Sequence, residues 1–143
     1  MYLSKHFTLE ELTASQTASR FEINNTPSPA VVDNLKRLCD LILEPVRDIV
    51  HKPVQITSGY RCVALNRMIG SKDSSHHVLG LAADIKVPGV ELDTLIKAII
   101  GAGLPYEQVI REFDSWCHVS VSLSDKPKRQ ALIIDKSGTR AYS

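Results

Sequence analysis

The sequence has little net charge. Its 143 residues carry 17 Lys and Arg against 16 Asp and Glu, which leaves a formal charge of +1. A protein that binds nucleic acid usually carries a clustered surplus of basic residues. The near balance of charges therefore argues against a nucleic-acid partner.

Long hydrophobic runs are also missing. No apolar stretch approaches the roughly 18 to 20 residues that a membrane span requires. Residues 1–6 (MYLSKH) contain none of the apolar sequence of a secretory signal peptide. We therefore expect no membrane span, and we expect synthesis in the cytoplasm.

Cysteine is scarce and widely spaced, at Cys39, Cys62 and Cys117. An odd number without a C-x-x-C pair argues against a disulfide framework and against a cysteine zinc knot, so we expect buried thiols. At 43% hydrophobic residues the chain can bury a core without such supports. With no internal repeat or long linker, we predict one domain over residues 1–143, as a monomer.

Local patterns predict helices that alternate with short strands. Thr8 and Glu11 form an S/T-x-x-E capping box, and Ser28-Pro29 opens a long amphipathic helix that ends near His51 and bends or breaks at Pro45. The other predicted elements are strands over 54–57 and 81–87, helices over 62–69 and 92–99, a hairpin of 108–113 with 116–123, and an edge strand over 130–134. The prediction is an α+β fold, with helices packed on a small, mainly antiparallel sheet.

His77, Asp84 and His118 form a candidate metal site. The first two are seven residues apart with Gly80 between them, and His118 lies in the second strand of the predicted hairpin. Two imidazoles and one carboxylate suit Zn²⁺, and three protein ligands leave a fourth position for water, as in catalytic sites. Because a histidine in a strand is more often a core or surface residue, spacing alone leaves both roles open. The remaining histidines are expected to be exposed: His6, His51 and His76.

Three segments resemble motifs of one enzyme family. Residues 75–84 (SHHVLGLAAD) fit S-x-H-x-x-G-x-A-x-D, which resembles the first zinc motif of the D-Ala-D-Ala metallopeptidases, peptidase family M15. This family includes bacterial carboxypeptidases, vancomycin-resistance dipeptidases and phage endolysins. Residues 58–62 (SGYRC) resemble its SGYR segment, and residues 116–120 (WCHVS) resemble its WxHVS segment. The resemblance covers roughly residues 54–122 and implies a hedgehog/DD-peptidase-like fold.

The resemblance implies a zinc site with a defined register. His77, Asp84 and His118 match the family's ligands, and the motif selects His77 over His76. Bound zinc would lower the pKa of water and polarise the scissile carbonyl, which removes the need for a protein nucleophile.

The resemblance also implies substrate-binding residues. Arg61 matches the family's substrate arginine, whose planar fork can hold a carboxylate or carbonyl and stabilise a developing oxyanion. Ser75 matches a substrate-contacting serine. Gln55 is a candidate for the same cleft, although a polar residue on the open face of a strand needs no further role.

The general acid/base departs from the family pattern. In many relatives the acid stands three residues before the last histidine, where this chain has Ser115. Glu112 and Asp114 are the candidates. A three-residue hairpin loop would place Glu112 on the face of His118, whereas a two-residue turn would place it on the opposite face. We favour Glu112 and keep Asp114 as the alternative.

The resemblance implies a zinc-dependent peptidase that hydrolyses the peptidoglycan stem peptide, first of all as a D-alanyl-D-alanine carboxypeptidase. An L-alanyl-D-glutamate endopeptidase of the endolysin type is the alternative within the class. The displaced acid keeps a third possibility open, a non-catalytic zinc-containing module that binds the wall or belongs to a virion. Without a signal peptide, a phage-encoded protein released by lysis or carried in the virion would reach the wall, and another export route in a bacterium is the alternative.

Overall fold

One six-stranded sheet and seven α-helices make up the structure, a computed structural model that describes residues 1–143. The helices are α1 (Leu9–Thr13), α2 (Gln16–Arg20), α3 (Pro29–Leu38), α4 (Glu44–Val50), α5 (Val63–Met68), α6 (His76–Leu79) and α7 (Leu92–Gly101). The strands are β1 (Gln55–Ser58), β2 (Ala82–Lys86), β3 (Tyr106–Glu112), β4 (Trp116–Val121), β5 (Gln130–Asp135) and β6 (Gly138–Ala141). The predicted α+β class is confirmed.

Two helices begin at the predicted caps. The Thr8 hydroxyl accepts the Glu11 N–H at 3.2 Å, and the Glu11 carboxylate accepts the Thr8 N–H at 3.2 Å, so the capping box opens α1. Ser28 accepts the N–H of Val31 at 3.3 Å, and Pro29 occupies the first turn of α3.

The long helix changes pitch before Pro45 instead of breaking there. Cys39–Leu43 forms a π-helical turn between α3 and α4, in which the N–H of Glu44 bonds to the carbonyl five residues back. Proline lacks an N–H and its ring clashes with the carbonyl four residues before it, and the wider turn relieves both problems. The helix then ends at His51, which has a left-handed backbone with φ 55°, close to the predicted end.

The strands follow the order β1-β2-β4-β3-β5-β6, and all neighbours are antiparallel except β3 and β5. The mainly antiparallel sheet is confirmed. The predicted strand at 130–134 is confirmed as β5, but its predicted place at the edge of the sheet is wrong, because β6 pairs with it on the outside. All four residues of β6 are exposed, so they show no alternation of polar and apolar residues that would have indicated a strand.

One face of the sheet packs against helices, and the opposite face carries polar groups. The core helices are α3, the π-helical turn and α7, all of which contact β4. On β2, Ala83 and Ile85 belong to the hydrophobic core, and Asp84 between them faces the other side. On β4 the same alternation buries Val119 in the core and directs His118 to the face of Asp84.

Two expectations about burial need correction. All three cysteines are free thiols, but only Cys39 and Cys117 are buried, whereas Cys62 is half-buried. Among the histidines, His51 is exposed as expected, while His6 and His76 are half-buried. His6 is tied down by an ion pair, with its Nδ1 2.6 Å from Oε1 of Glu44. No helix combines the length and the apolar character needed to cross a membrane.

Candidate metal centre

His77 lies on a single helical turn, α6, between the predicted helix over 62–69 and the predicted strand over 81–87. The hydroxyl of Ser75 caps this turn by accepting the N–H of His77 at 3.2 Å. Gly80 ends it with φ 74°, and a Cβ there would lie 2.7 Å from Cγ1 of Val31. Only glycine combines this backbone with such close contact, so Gly80 fixes where His77 faces the sheet.

Asp84 and His118 are directly opposite each other on β2 and β4. Asp84 also pairs with Ser58 on β1, and His118 pairs with Ile110 on β3. Strand pairing on both sides therefore holds the two side chains on the polar face of the sheet.

The three predicted ligands are buried and lie within ligand distance of one another. Oδ1 of Asp84 is 3.0 Å from Nδ1 of His118 and 3.4 Å from Nε2 of His77. Their exposed fractions are 3% for His77, 7% for Asp84 and 8% for His118. In a tetrahedral site with Zn–N and Zn–O bonds of about 2.0–2.1 Å, ligand atoms are roughly 3.3 Å apart. The donor set therefore fits an ion of this size, and this group could hold a metal.

A backbone carbonyl orients His77. Its Nδ1 donates to the carbonyl of Gly59 at 2.7 Å, which leaves the lone pair on Nε2, the atom that faces Asp84. Only glycine fits at position 59, because a Cβ there would lie 2.3 Å from the carbonyl oxygen of Leu12. The next residue ties this backbone to α1, since the N–H of Tyr60 donates to the same carbonyl at 2.7 Å.

The charge states of the ligands suit a cation. Burial alone would raise the pKa of Asp84, but contacts with His118 and His77 outweigh it and hold that pKa below its usual range. Burial lowers the pKa of His77, so its imidazole is neutral near pH 7. An ionised carboxylate and a neutral imidazole are the forms that bind metal.

Arg61 is directed towards the same centre. Its side chain is 12% exposed, and Nη2 lies 4.0 Å from Oδ2 of Asp84. Its backbone N–H donates to the carbonyl of His77 at 3.1 Å, which ties the SGYR segment to α6. Nε is buried and has no hydrogen-bond partner within the protein.

Glu112, and not Asp114, lies at the centre. The hairpin loop has three residues, so Glu112 pairs with Trp116, and its Oε1 is 3.8 Å from Nδ1 of His118. Burial and the negative charge of Asp84 raise the pKa of Glu112. Asp114 is exposed and forms an ion pair with Arg111 at 2.9 Å, outside the cavity.

A cavity of about 570 Å³ opens onto these groups, and we call it the metal-centre cavity. Arg61, Ser75 and Glu112 line it together with the three ligands. Gln55 is not among its lining residues and lines a neighbouring cavity instead. Two apolar side chains that motif spacing did not single out, Ile69 and Phe113, also form its wall, next to Trp116.

The family model described as Peptidase M15 matches residues 5–120 of this chain. The chain belongs to the peptidase M15 family. The match extends from the N-terminal helices through β4 and includes all three motifs, whereas β5 and β6 lie beyond it. No curated protein matches the chain. As an M15 domain the protein is a metallopeptidase, and His77, Asp84 and His118 are the group that could bind its metal.

Proposed function

We propose that the protein is a zinc-dependent peptidase that hydrolyses the stem peptide of peptidoglycan. The observation that carries this proposal is the buried group of His77, Asp84 and His118 in an M15 domain. Oδ1 of Asp84 lies 3.0 Å from Nδ1 of His118 and 3.4 Å from Nε2 of His77. Two imidazoles and one carboxylate favour zinc over harder cations.

Each surrounding residue has a part in hydrolysis. His77, Asp84 and His118 would hold the zinc ion, which would supply the Lewis acidity that lowers the pKa of water and polarises a carbonyl. Glu112 accepts a proton from the attacking water and gives it to the leaving amine, so the C–N bond breaks and a carboxylate and an amine result. A base of raised pKa that faces His118 is suited to both transfers.

Arg61 and Ser75 position the substrate. The guanidinium stabilises negative charge that develops on the carbonyl oxygen, and its position on the wall of the metal-centre cavity, with Nη2 4.0 Å from Oδ2 of Asp84, supports this assignment. The Ser75 hydroxyl accepts the N–H of His77 and keeps its own O–H, which can donate to a peptide carbonyl.

The wall substrate rests on the resemblance of the three motifs. Two bonds are candidates, the terminal D-alanyl-D-alanine bond and the internal L-alanyl-D-glutamate bond. The alternative of a non-catalytic module rested on Ser115 at the expected acid position. Oε1 of Glu112 lies 3.8 Å from Nδ1 of His118, so a carboxylate three residues before Ser115 can take the place of the missing acid. This contact supports an enzyme over a non-catalytic module.

The test is digestion of purified peptidoglycan sacculi with protein that has been stripped of metal and then reloaded with zinc. Mass spectrometry of the released fragments identifies the bond that is cut. We expect hydrolysis by the zinc form and none by the stripped form. Zinc-loaded protein that leaves both sacculi and synthetic stem peptides intact would show that the proposal is wrong.

A further inference from the structure

Space continues on both sides of the metal-centre cavity. On one side lies a cavity of about 540 Å³, here called the edge cavity, which shares Ser58, Arg61 and Ile69 with it. On the other side lies a cavity of about 650 Å³, here called the far cavity, which shares Ser71, Ser75, Glu112 and His118 with it. A pocket that receives the end of a chain closes beyond the terminal residue, and neither side closes here.

The edge cavity lies against the free edge of the sheet. All four residues of β1, Gln55–Ser58, line it. Because successive side chains of a strand point to opposite faces, a cavity that touches four consecutive residues lies along the edge of the strand. β1 is the first strand of the sheet and pairs only with β2.

The backbone on this edge has no partner in the protein. No loop backbone bonds to residues 55–58, and the edge is first covered at Tyr60, whose N–H donates to the carbonyl of Leu12 at 2.7 Å. The segment Ala14–Thr17 forms the opposite wall of the edge cavity. The result is a trough with open peptide groups on one side and polar side chains, Gln16 and Thr17, on the other.

We propose that the edge of β1 is a binding subsite for the part of the peptide substrate that extends from the scissile bond past Arg61. An extended peptide in the trough takes up the free N–H and C=O groups of β1, as in strand addition to a sheet edge. The inference rests on the proposed peptidase function, and it adds that the chain passes through the site.

Arg61 is consistent with a chain that continues. It borders both the edge cavity and the metal-centre cavity, and its Nη2 is 4.0 Å from the carboxylate of Asp84. Its planar fork can hold a peptide carbonyl as well as a carboxylate, so binding at Arg61 does not require a chain end. With space on both sides of the metal-centre cavity, the scissile bond in this proposal is an internal bond with peptide on both sides, and not the terminal D-alanyl-D-alanine bond.

The first experiment compares a free synthetic stem pentapeptide with the same peptide blocked by an N-terminal acetyl group and a C-terminal amide. We expect the zinc-loaded protein to cut both at the same internal bond, with kcat/KM values within a few-fold of each other. Release of terminal D-Ala alone, abolished by the amide, would overturn this inference and leave the peptidase function intact. No cleavage of either peptide would overturn both.

The second experiment narrows the trough. Ala14 is exposed and lines the edge cavity, so Ala14→Trp fills space without disturbing the core. We expect the ratio of kcat/KM for the pentapeptide to that for a blocked dipeptide with the same scissile bond to fall about tenfold, the loss of one or two backbone hydrogen bonds. Ser19→Trp, an exposed position outside the cavity, is the matched control and leaves the ratio unchanged.

Either of two results would contradict the subsite. One is an unchanged ratio in Ala14→Trp protein that folds and binds zinc like wild type. The other is a concentration-dependent dimer, measured by light scattering and abolished by Ala14→Trp, which would show that the edge of β1 pairs with a second copy of the chain.

Discussion

Asp84 and His118 face each other across two paired strands, with Oδ1 of Asp84 3.0 Å from Nδ1 of His118. Because backbone pairing holds both strands, these two ligands are in place without a metal ion. His77 comes from α6, outside the sheet, and completes the group. The metal affinity therefore depends on the sheet for two ligands and on one short helical turn for the third.

The register of the ligands is testable by metal content. His77→Ala removes a buried donor that faces Asp84, so we expect the Kd for zinc to rise more than about 100-fold. His76→Ala is the matched control, because His76 is the adjacent histidine, is half-buried and does not belong to the group of three ligands. Competition with a zinc-chelating dye measures both constants. Equal losses in the two variants would contradict the assignment.

Glu112 and Asp114 are separable by isosteric substitution. Glu112→Gln keeps the shape of the side chain and removes its basicity, and we expect kcat to fall on the order of 1000-fold while zinc still binds. Asp114→Asn changes an exposed group outside the metal-centre cavity, so activity stays within about twofold of wild type. Hydrolysis of stem peptide gives both rates, and the reverse order would assign the proton transfer to Asp114.

The proposed role of Arg61 is to stabilise the negative charge of the transition state. Arg61→Gln leaves a hydrogen-bonding side chain without the guanidinium, and we expect kcat/KM to fall on the order of 100-fold. Arg20→Gln, an exposed position on α2, controls for the loss of one positive charge. Steady-state kinetics on zinc-loaded proteins decides the matter, and similar values for the two variants would remove Arg61 from the reaction.

Gly80 supports the turn that carries His77. Gly80→Ala combines a positive φ with a Cβ 2.7 Å from Val31, so we expect the free energy of unfolding to fall by roughly 3 kcal/mol. Gly103→Ala has φ +66° but open space around the Cβ, and it should lose only about 1 kcal/mol. Urea unfolding of the metal-free proteins measures the difference. Equal decreases in the free energy of unfolding for the two variants would mean that the Val31 side chain moves aside at little cost.

Glu44 links stability to pH far from the metal centre. Burial alone would raise its pKa, but hydrogen bonds from Ser4 and His6 outweigh it and lower the pKa. A carboxyl group with a depressed pKa in the folded state stabilises the fold above its unfolded pKa, and this stabilisation is lost as pH falls through the folded value. The free energy of unfolding of wild type should therefore fall on acidification.

The variant Glu44→Gln isolates this contribution. We expect it to lower the free energy of unfolding by about 2 kcal/mol at pH 7. The gap to wild type should narrow as pH falls below the ordinary carboxyl pKa of 4.5 and through the lower pKa of the folded state. Asp48→Asn, an exposed position on the same helix, is the control. Denaturant curves at several pH values measure the gap. A gap that does not change with pH would show that charge at Glu44 is not the cause.

The sequence predicts those elements that depend on interactions between residues close together in the chain. The capping box at Thr8, the helix start at Ser28 and the hairpin between β3 and β4 all occur where the pattern places them. The hairpin also decides the acid, because adding one residue to its loop moves Glu112 to the other face of the sheet. The hairpin segment contains no glycine that would indicate its turn type, so the sequence leaves the loop length open. The pairing of Glu112 with Trp116 shows that the loop has three residues.

Other elements leave no readable pattern. α6 has four residues, too few for a helical period, and the exposed β6 shows no alternation. Pro45 indicates a distortion of the long helix, but a proline is compatible with a bend, a break or a π-helical turn, so the kind of distortion cannot be read from the sequence. For the site, the motifs named the three ligands through resemblance, while the free edge of β1 depends on strand order and so had no sequence signal.

The contact between Gly59 and Leu12 makes the N-terminal helix part of the metal centre's scaffold. Leu12 on α1 holds Gly59 from one side, and the carbonyl of Gly59 holds the ring of His77 on the other. A fragment trimmed to the three motifs would keep every ligand yet release the carbonyl that aims one of them. We therefore expect the smallest fragment that keeps full zinc affinity to include α1, well ahead of the first recognisable motif.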